Sequence, residues 1–259
     1  MEIEVFHTPA MRYRSKPGTH QPPGRHDSMT EMGTDSPAWS YGGATGPENW
    51  SCLSESFKTC EDGLRQSPID ITGYESIAGE RIEFFYDSVP IAVINNGRAI
   101  SVWYEPGSSI TANGGMFRLT TAHCHAPSEH LIDGRRFSAE MHLVHENDEG
   151  ELAVVAVLLE LGNANPVIEG LLASAGSAKD PYEADPSLHS RFLKPTNEGH
   201  FHYVGSTTTP PCLEPVAWFV MAETATVSED QVIALQAASH GPNNRAVQPI
   251  NGRTVRRVN

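Results

Sequence analysis

Apolar side chains along this chain recur at every second position or in short unbroken runs, the spacing of strands more than of helices. Ile91 to Ile94, Ala99 to Tyr104, Met116 to Cys124, Phe137 to His145, Leu152 to Leu161 and Val216 to Ala222 all read as strands. Asn95-Asn96-Gly97 and Asn113-Gly114-Gly115 carry turn chemistry, because Asn and Gly tolerate positive φ, so neighbouring strands are expected to pair antiparallel. Two stretches change to the helical period. One is Pro166 to Ala175; the other is opened by the capping box Ser228-Glu229-Asp230-Gln231 and runs to about Ala238. The pattern predicts an α+β fold. Residues 1–37 are rich in Pro, Gly, Ser, Thr and His without sustained periodicity, which predicts a flexible extension ahead of a domain over 38–259.

At 259 residues the chain is long enough for one large core, and no internal repeat divides it. Its formal charge of −14 argues against nucleic acid and against an anionic membrane surface as partners, since both select basic patches. No apolar run reaches the length of a membrane span, Leu152 to Leu159 being strand-sized, so a soluble protein is expected. The N-terminus lacks the apolar core of a signal peptide: a leader has been removed, or export does not use that route. His7, His20 and His26 read as solvated side chains of the extension. Asn49-Trp50-Ser51 is formally a glycosylation sequon and carries little weight alone.

Candidate chemistry is concentrated on two of the predicted strands. His123 and His125 flank Cys124, so strand alternation places both imidazoles on one face and the thiol on the other. If the segment of His142 pairs alongside, a third imidazole converges, giving three neutral nitrogen ligands and an open fourth position, the donor set of a catalytic zinc site. An H-x-H pair among 12 histidines is equally compatible with surface or core residues. The flanking words decide the matter. His123-Cys124-His125-Ala126-Pro127-Ser128-Glu129-His130, Ala139-Glu140-Met141-His142-Leu143-Val144-His145, Gly205-Ser206-Thr207-Thr208-Thr209-Pro210-Pro211-Cys212 and Arg65-Gln66-Ser67-Pro68-Ile69-Asp70 are four separate blocks. They resemble, in their order, the α-class carbonic anhydrases, most closely the bacterial or secreted branch, from about Trp39 to Arg257.

The resemblance implies a single domain built on a large, twisted, mainly antiparallel sheet, with short peripheral helices and a conical cleft reaching a Zn2+ ion. It implies reversible hydration of carbon dioxide to bicarbonate and a proton by zinc-bound hydroxide. The water pKa of about 7 that this requires is a value established for carbonic anhydrases themselves. His123, His125 and His142 would be the zinc ligands. Thr208 would accept a hydrogen bond from the hydroxide and donate one to Glu129, which as a carboxylate can only accept. Glu140, two residues before His142, would take the far ring N–H of that ligand, and Thr121 stands where a glutamine commonly supports the first ligand. Val144, Val154, Val216 and Trp218 match the apolar wall that receives carbon dioxide, with Thr207 and Thr209 lining the pocket. Sulfonamides and small anions are the expected inhibitors. Bacterial relatives are often dimers, although no residue pattern here identifies an interface.

Cys60 and Cys212 stand where secreted and bacterial relatives carry a disulfide, with Cys52 an alternative partner and Cys124 a small core hydrophobe. Such a bridge places the protein outside the cytoplasm, in a periplasmic, secreted or lumenal compartment. The alternative is four free thiols in a cytosolic protein.

Departures from the family pattern are equally specific. Fast members carry a proton-shuttling histidine where this chain has Arg98; arginine does not release its proton near neutral pH, so proton transfer is expected to limit turnover. Tyr41 and Asn95 join Arg98 as candidates for the proton path. Ala122, Cys124 and Ala126 replace bulkier residues around the first two ligands, which predicts missing volume behind the zinc. Two other classes remain. One is a non-catalytic zinc-holding or interaction protein retaining the fold. The other is a hydrolase of another type, whose G-x-S-x-G, H-E-x-x-H and P-loop signatures are absent. Ester hydrolysis by the same nucleophile is an expected side activity.

Overall fold

A computed structural model describes residues 37–79, 81–175 and 185–259. The tail histidines His7, His20 and His26 lie outside the described residues. Fifteen strands are described. The first six are β1 (Asp70–Ile71), β2 (Glu75–Ile77), β3 (Glu83–Phe85), β4 (Pro90–Asn95), β5 (Ile100–Tyr104) and β6 (Ser109–Ala112). Then follow β7 (Gly115–His125), β8 (Leu131–Ile132), β9 (Arg135–Arg136), β10 (Ala139–Glu146) and β11 (Leu152–Leu161). The last are β12 (His200–Gly205), β13 (Val216–Met221), β14 (Ala225–Val227) and β15 (Arg256–Val258). Helices are short: α1 (Trp50–Leu53), α2 (Thr59–Asp62), α3 (Pro166–Ala175) and α4 (Glu229–Ala238). Both long helices match their expected spans, and Ser228 and Gln231 make the reciprocal bonds of the capping box.

The main sheet runs β2-β15-β12-β13-β11-β10-β7-β5-β4, and its long centre is antiparallel from β4 to β11. One expectation is corrected here: β13 pairs with β11 parallel, not antiparallel. The chain between them makes a crossover through α3 and β12, and β13 then turns back antiparallel on β12. Nothing local to Val216–Met221 encodes that direction, because a strand's alternation is the same read either way.

Two apolar layers cover this sheet. Val102, Tyr104, Ala122, Cys124, Met141, Leu143, Ala153, Val155, Leu159, Phe219 and Met221 belong to one layer, closed by Ile168 and Leu171 of α3 and Leu235 of α4. Val154, Ala156, Leu158, Phe201, Tyr203, Val216, Trp218 and Val220 belong to the other. β11 is thus buried on both faces, which is why Leu152–Leu161 reads as a continuous apolar run.

β7 contains the irregularity that creates the site. Its register with β10 steps from Val144↔Thr121 to His145↔Leu119, leaving Thr120 as the extra residue of a bulge. Phe117 and Leu119 before the bulge therefore face the same core as Ala122 and Cys124 after it, although their numbers differ in parity. Without that one-residue step, the apolar half of β7 and the histidine half would demand opposite faces.

Candidate functional site

Register assembles the histidines. His142 of β10 lies directly opposite His123 of β7, and Glu140 opposite His125, so all four side chains share the face away from Ala122 and Cys124. The ring centroids are 5.1 Å apart for His123 and His125, 5.2 Å for His123 and His142, and 4.6 Å for His125 and His142. One nitrogen from each ring lies within 4.8 Å of the others, close enough to share a metal ion. Burial holds all three imidazoles below their ordinary pKa, reinforced for His123 by its neighbouring rings, so they are neutral at pH 7 and available as ligands.

Hydrogen bonds leave particular atoms free. His125 Nδ1 donates to the Asn243 carbonyl at 2.7 Å, and His125 Nε2 is buried with no hydrogen-bond partner. His142 Nε2 donates to Glu140 Oε1 at 2.7 Å, leaving its Nδ1 turned 4.0 Å from Glu129 Oε2. Glu140 also accepts His130 Nδ1 at 2.6 Å on Oε1, and the backbone N–H groups of Glu129 and His130 on Oε2, each at 2.8 Å. Burial alone would raise the Glu140 pKa; the interactions with His130 and His142, each giving a ring N–H to the carboxylate, outweigh it and hold the carboxyl well below its usual range.

Glu129 is the contrasting carboxyl. Its Oε1 accepts the backbone N–H of Arg245 at 2.8 Å, while Oε2 lies 3.6 Å from His125 Nε2 with no hydrogen-bond partner. Burial pushes its pKa up to about 7 against the opposing effects of His142, Arg245 and the Thr208 hydroxyl. Thr208 is buried beside this carboxyl but completes no hydrogen bond to Oε2. The two orphaned buried atoms, a ring nitrogen and a carboxylate oxygen, face the same small volume and fit a cation held by imidazoles.

Other expected site residues are placed less uniformly. Val144 is opposite Val154, and Val154 opposite Trp218, so the apolar wall continues from the His142 strand across β11 to β13, with Val216 two residues from Trp218. Thr209 is half-buried in the loop after β12. Thr207 turns its hydroxyl to its own loop, donating to the Thr209 carbonyl at 3.2 Å and accepting the Leu213 N–H at 2.9 Å, and so staples that loop. Thr121 shares the His123 face, yet no hydrogen bond joins their side chains among the described residues, since the threonine is too short for the glutamine's reach. Asn95 is used by its turn and by α4, accepting the Gly97 N–H and donating to the Ala238 carbonyl. Tyr41 stacks edge-on against His125 at 6.4 Å, and burial holds its hydroxyl well above the ordinary phenol range. Cys60 and Cys212 form the disulfide, while Cys52 is free and Cys124 is buried, its thiol pushed up to about 12. Behind the strand of the candidate ligands, Ala122 and Cys124 line a cavity of about 10 Å³ with Tyr104, Met141 and Leu171.

The model of the eukaryotic-type carbonic anhydrases matches residues 45–259. The chain belongs to that family. A carbonic anhydrase of Klebsiella pneumoniae is 38% identical over 220 residues, covering 84% of this chain and 89% of the relative. A hyperthermostable carbonic anhydrase from an active hydrothermal vent chimney superposes with a TM-score of 0.79 and 37% identity, covering 86% of this chain and all of that one, 100%. The α-carbonic anhydrase of Thermovibrio ammonificans, solved with the inhibitor sulfanilamide, gives a TM-score of 0.77 at 33% identity, covering 85% and 99% of the two chains. Carbon dioxide hydration is the activity of this family, and the chain is a carbonic anhydrase.

Several residues that position the carbonic anhydrase site were not assigned roles from sequence. His130 passes its Nδ1–H to Glu140 and accepts the Tyr203 hydroxyl on Nε2 at 2.7 Å, and Tyr203 accepts the Ser67 hydroxyl at 2.8 Å. Arg245, 1% exposed, donates to Gln66 Oε1 and to the Ser67 and Cys60 carbonyls, each at 2.8 Å, while its backbone holds Glu129. His130 and Ser67 lie inside the recognised blocks but outside the strands, so block membership was their only signal. Asn243 and Arg245 lie outside every block and gave none.

Proposed function

We propose that this carbonic anhydrase hydrates carbon dioxide reversibly at a Zn2+ ion held by His125 Nε2, His142 Nδ1 and a ring nitrogen of His123. The observation that carries the reading is the pair of buried, unpartnered atoms, His125 Nε2 and Glu129 Oε2, at the focus of three neutral imidazoles. When bound, zinc supplies Lewis acidity that makes hydroxide available from water near neutral pH, as is established for carbonic anhydrases.

The protein's residues do the orienting. Glu129, with Oε1 engaged by Arg245, has Oε2 left to accept the Thr208 hydroxyl proton. Thr208 would then have an oxygen lone pair free to accept a hydrogen bond from hydroxide held at the metal, a bond that would orient it toward substrate. Thr209 contributes a further polar edge. Val144, Val154, Val216 and Trp218 offer carbon dioxide an apolar wall that water binds poorly. Glu140, fully occupied by four donors, keeps the His142 ring in the tautomer that frees Nδ1.

Arg98 in the shuttle position makes release of the proton the slow step. Sulfonamides and small anions inhibit at this site, as sulfanilamide binds the Thermovibrio enzyme. Residues 38–259 act as the catalytic domain and 1–37 as an extension. The Cys60–Cys212 disulfide supports an extracytoplasmic setting, and no described helix is long and apolar enough to cross a membrane. Stopped-flow hydration on protein of measured zinc content tests the reading. Activity proportional to zinc, and lost with zinc in His123→Ala, is expected. A full equivalent of zinc without hydration would leave a zinc-holding protein on this fold.

A further inference from the structure

Arg98 is fixed in place without a carboxylate partner. Its guanidinium lies 4.3 Å from the centroid of the Trp39 ring, and one terminal nitrogen donates to the Trp39 carbonyl at 3.4 Å. Its Nε is buried with no hydrogen-bond partner, and no described carboxylate makes an ion pair with it. The backbone is held as well, its N–H by Asn96 Oδ1 and its carbonyl by Asn243 Nδ2, both at 2.9 Å.

Two short routes connect this cation to the histidine cluster. Asn243, which holds the Arg98 carbonyl, accepts the Nδ1–H of His125 on its own carbonyl. Trp39 packs edge-on against Tyr41 at 5.5 Å, and Tyr41 against His125 at 6.4 Å. The charges of Glu129 and Arg98 act on the Tyr41 hydroxyl in opposite senses, so both fields reach the same place.

The chain as a whole carries a net charge of −14, a field that repels bicarbonate and every other anion approaching the protein. A cation already held by a ring and a backbone carbonyl loses little freedom when an anion arrives, and its guanidinium keeps N–H donors that no described acceptor takes.

We propose that Arg98 recruits anions to the site: it raises the local affinity for bicarbonate and other small monovalent anions in a chain whose overall charge opposes them. This rests on the zinc-site reading and adds a residue that senses charge on the ligand, with neutral carbon dioxide unaffected by the attraction.

The test uses thiocyanate as the probe on the full-length protein. Zinc-loaded wild type, Arg98→Gln, Arg98→Lys and Lys194→Gln are titrated by inhibition of hydration, and their cobalt-loaded forms by visible absorption. Lys194 is an exposed cation outside the site whose loss changes net charge equally. Arg98→Gln is expected to weaken thiocyanate binding about 3- to 10-fold at low ionic strength, with the difference collapsing at about 1 M of a non-coordinating salt. Arg98→Lys should recover most of the loss, and Lys194→Gln should bind as wild type. Equal affinity of wild type and Arg98→Gln overturns the proposal, as does an equal loss in Lys194→Gln, which would reduce the effect to net charge. Failure of the wild type to take up metal and hydrate carbon dioxide would instead overturn the zinc reading, and is scored separately before any titration.

Discussion

His125 Nδ1 donates to the backbone carbonyl of Asn243 at 2.7 Å, joining residues 118 positions apart in the chain. The same asparagine uses its side chain to accept the Ala126 N–H at 2.8 Å and to donate to the Cys124 and Arg98 carbonyls at 3.1 and 2.9 Å. The C-terminal segment thereby clamps the strand end that carries two candidate ligands. Replacing Asn243 by Ala keeps the carbonyl but strands buried backbone groups, each worth about 1–3 kcal/mol when left unpaired. We expect Asn243→Ala to lose about 2–4 kcal/mol in denaturant unfolding and to release zinc faster to a chelator; unchanged values for both would mean that the clamp is redundant.

Glu140→Gln places an amide donor against groups that are all donors: two imidazole N–H groups and two backbone N–H groups. The His142 ring then loses its orientation and basicity. Zinc affinity should fall about 10- to 100-fold, measured by competition with a chromophoric chelator.

Arg98→His puts a group that titrates near neutral pH in the place of one that does not. The maximal hydration rate in a non-shuttling buffer should rise, and the stimulation by added imidazole that is expected of the wild type should shrink. A wild-type rate indifferent to imidazole would show that another group already exports the proton.

His145 supplies a pH dependence of its own, on the face of β10 opposite the candidate ligand His142. It is fully buried, hydrogen-bonded to the Tyr86 hydroxyl at 2.6 Å and stacked on that ring, and burial pushes its pKa from 6.5 down to about 3. Below pH 6.5 the unfolded chain takes up a proton at this position that the folded chain refuses. Stability is therefore complete above that pH and declines as pH falls toward 3, by up to about 5 kcal/mol over the whole interval. His145→Gln, which can still bond Tyr86 but does not titrate, should flatten this acid limb in urea unfolding measured at several pH values.

Cys60 and Cys212 close a loop with a sequence separation of 152, and the bridge anchors the segment that carries Thr208. The chain-entropy description assigns such a bridge about 5 kcal/mol of destabilisation of the unfolded state, with measured gains commonly lower. Cys60→Ser with Cys212→Ser should lower stability by about 2–5 kcal/mol. Hydration should fall more than zinc content does, because the Thr208 loop loosens while the three histidines remain on their strands.

Strand alternation, a property of neighbouring residues, was sufficient to put His123 and His125 on one face and Cys124 on the other, and to place Glu140 with His142. The capping box at Ser228 and both longer helices were legible for the same reason, since their determinants lie within a turn or two of chain. The short strands β8 and β9 and the strand β12, His200–Gly205, were not, because their two to six residues carry too little pattern of their own and are defined by partners. Four sequence blocks also identified the family and its disulfide. Tertiary structure alone decided the rest: that His142 faces His123, that a bulge at Thr120 reconciles the two halves of β7, that β13 runs parallel to β11, and that Asn243 and Arg245 arrive behind His125 and Glu129. Those relations depend on register and on contacts between segments far apart in sequence, and backbone carbonyls and N–H groups, identical at nearly every position, bear much of the load without any mark in the residue string.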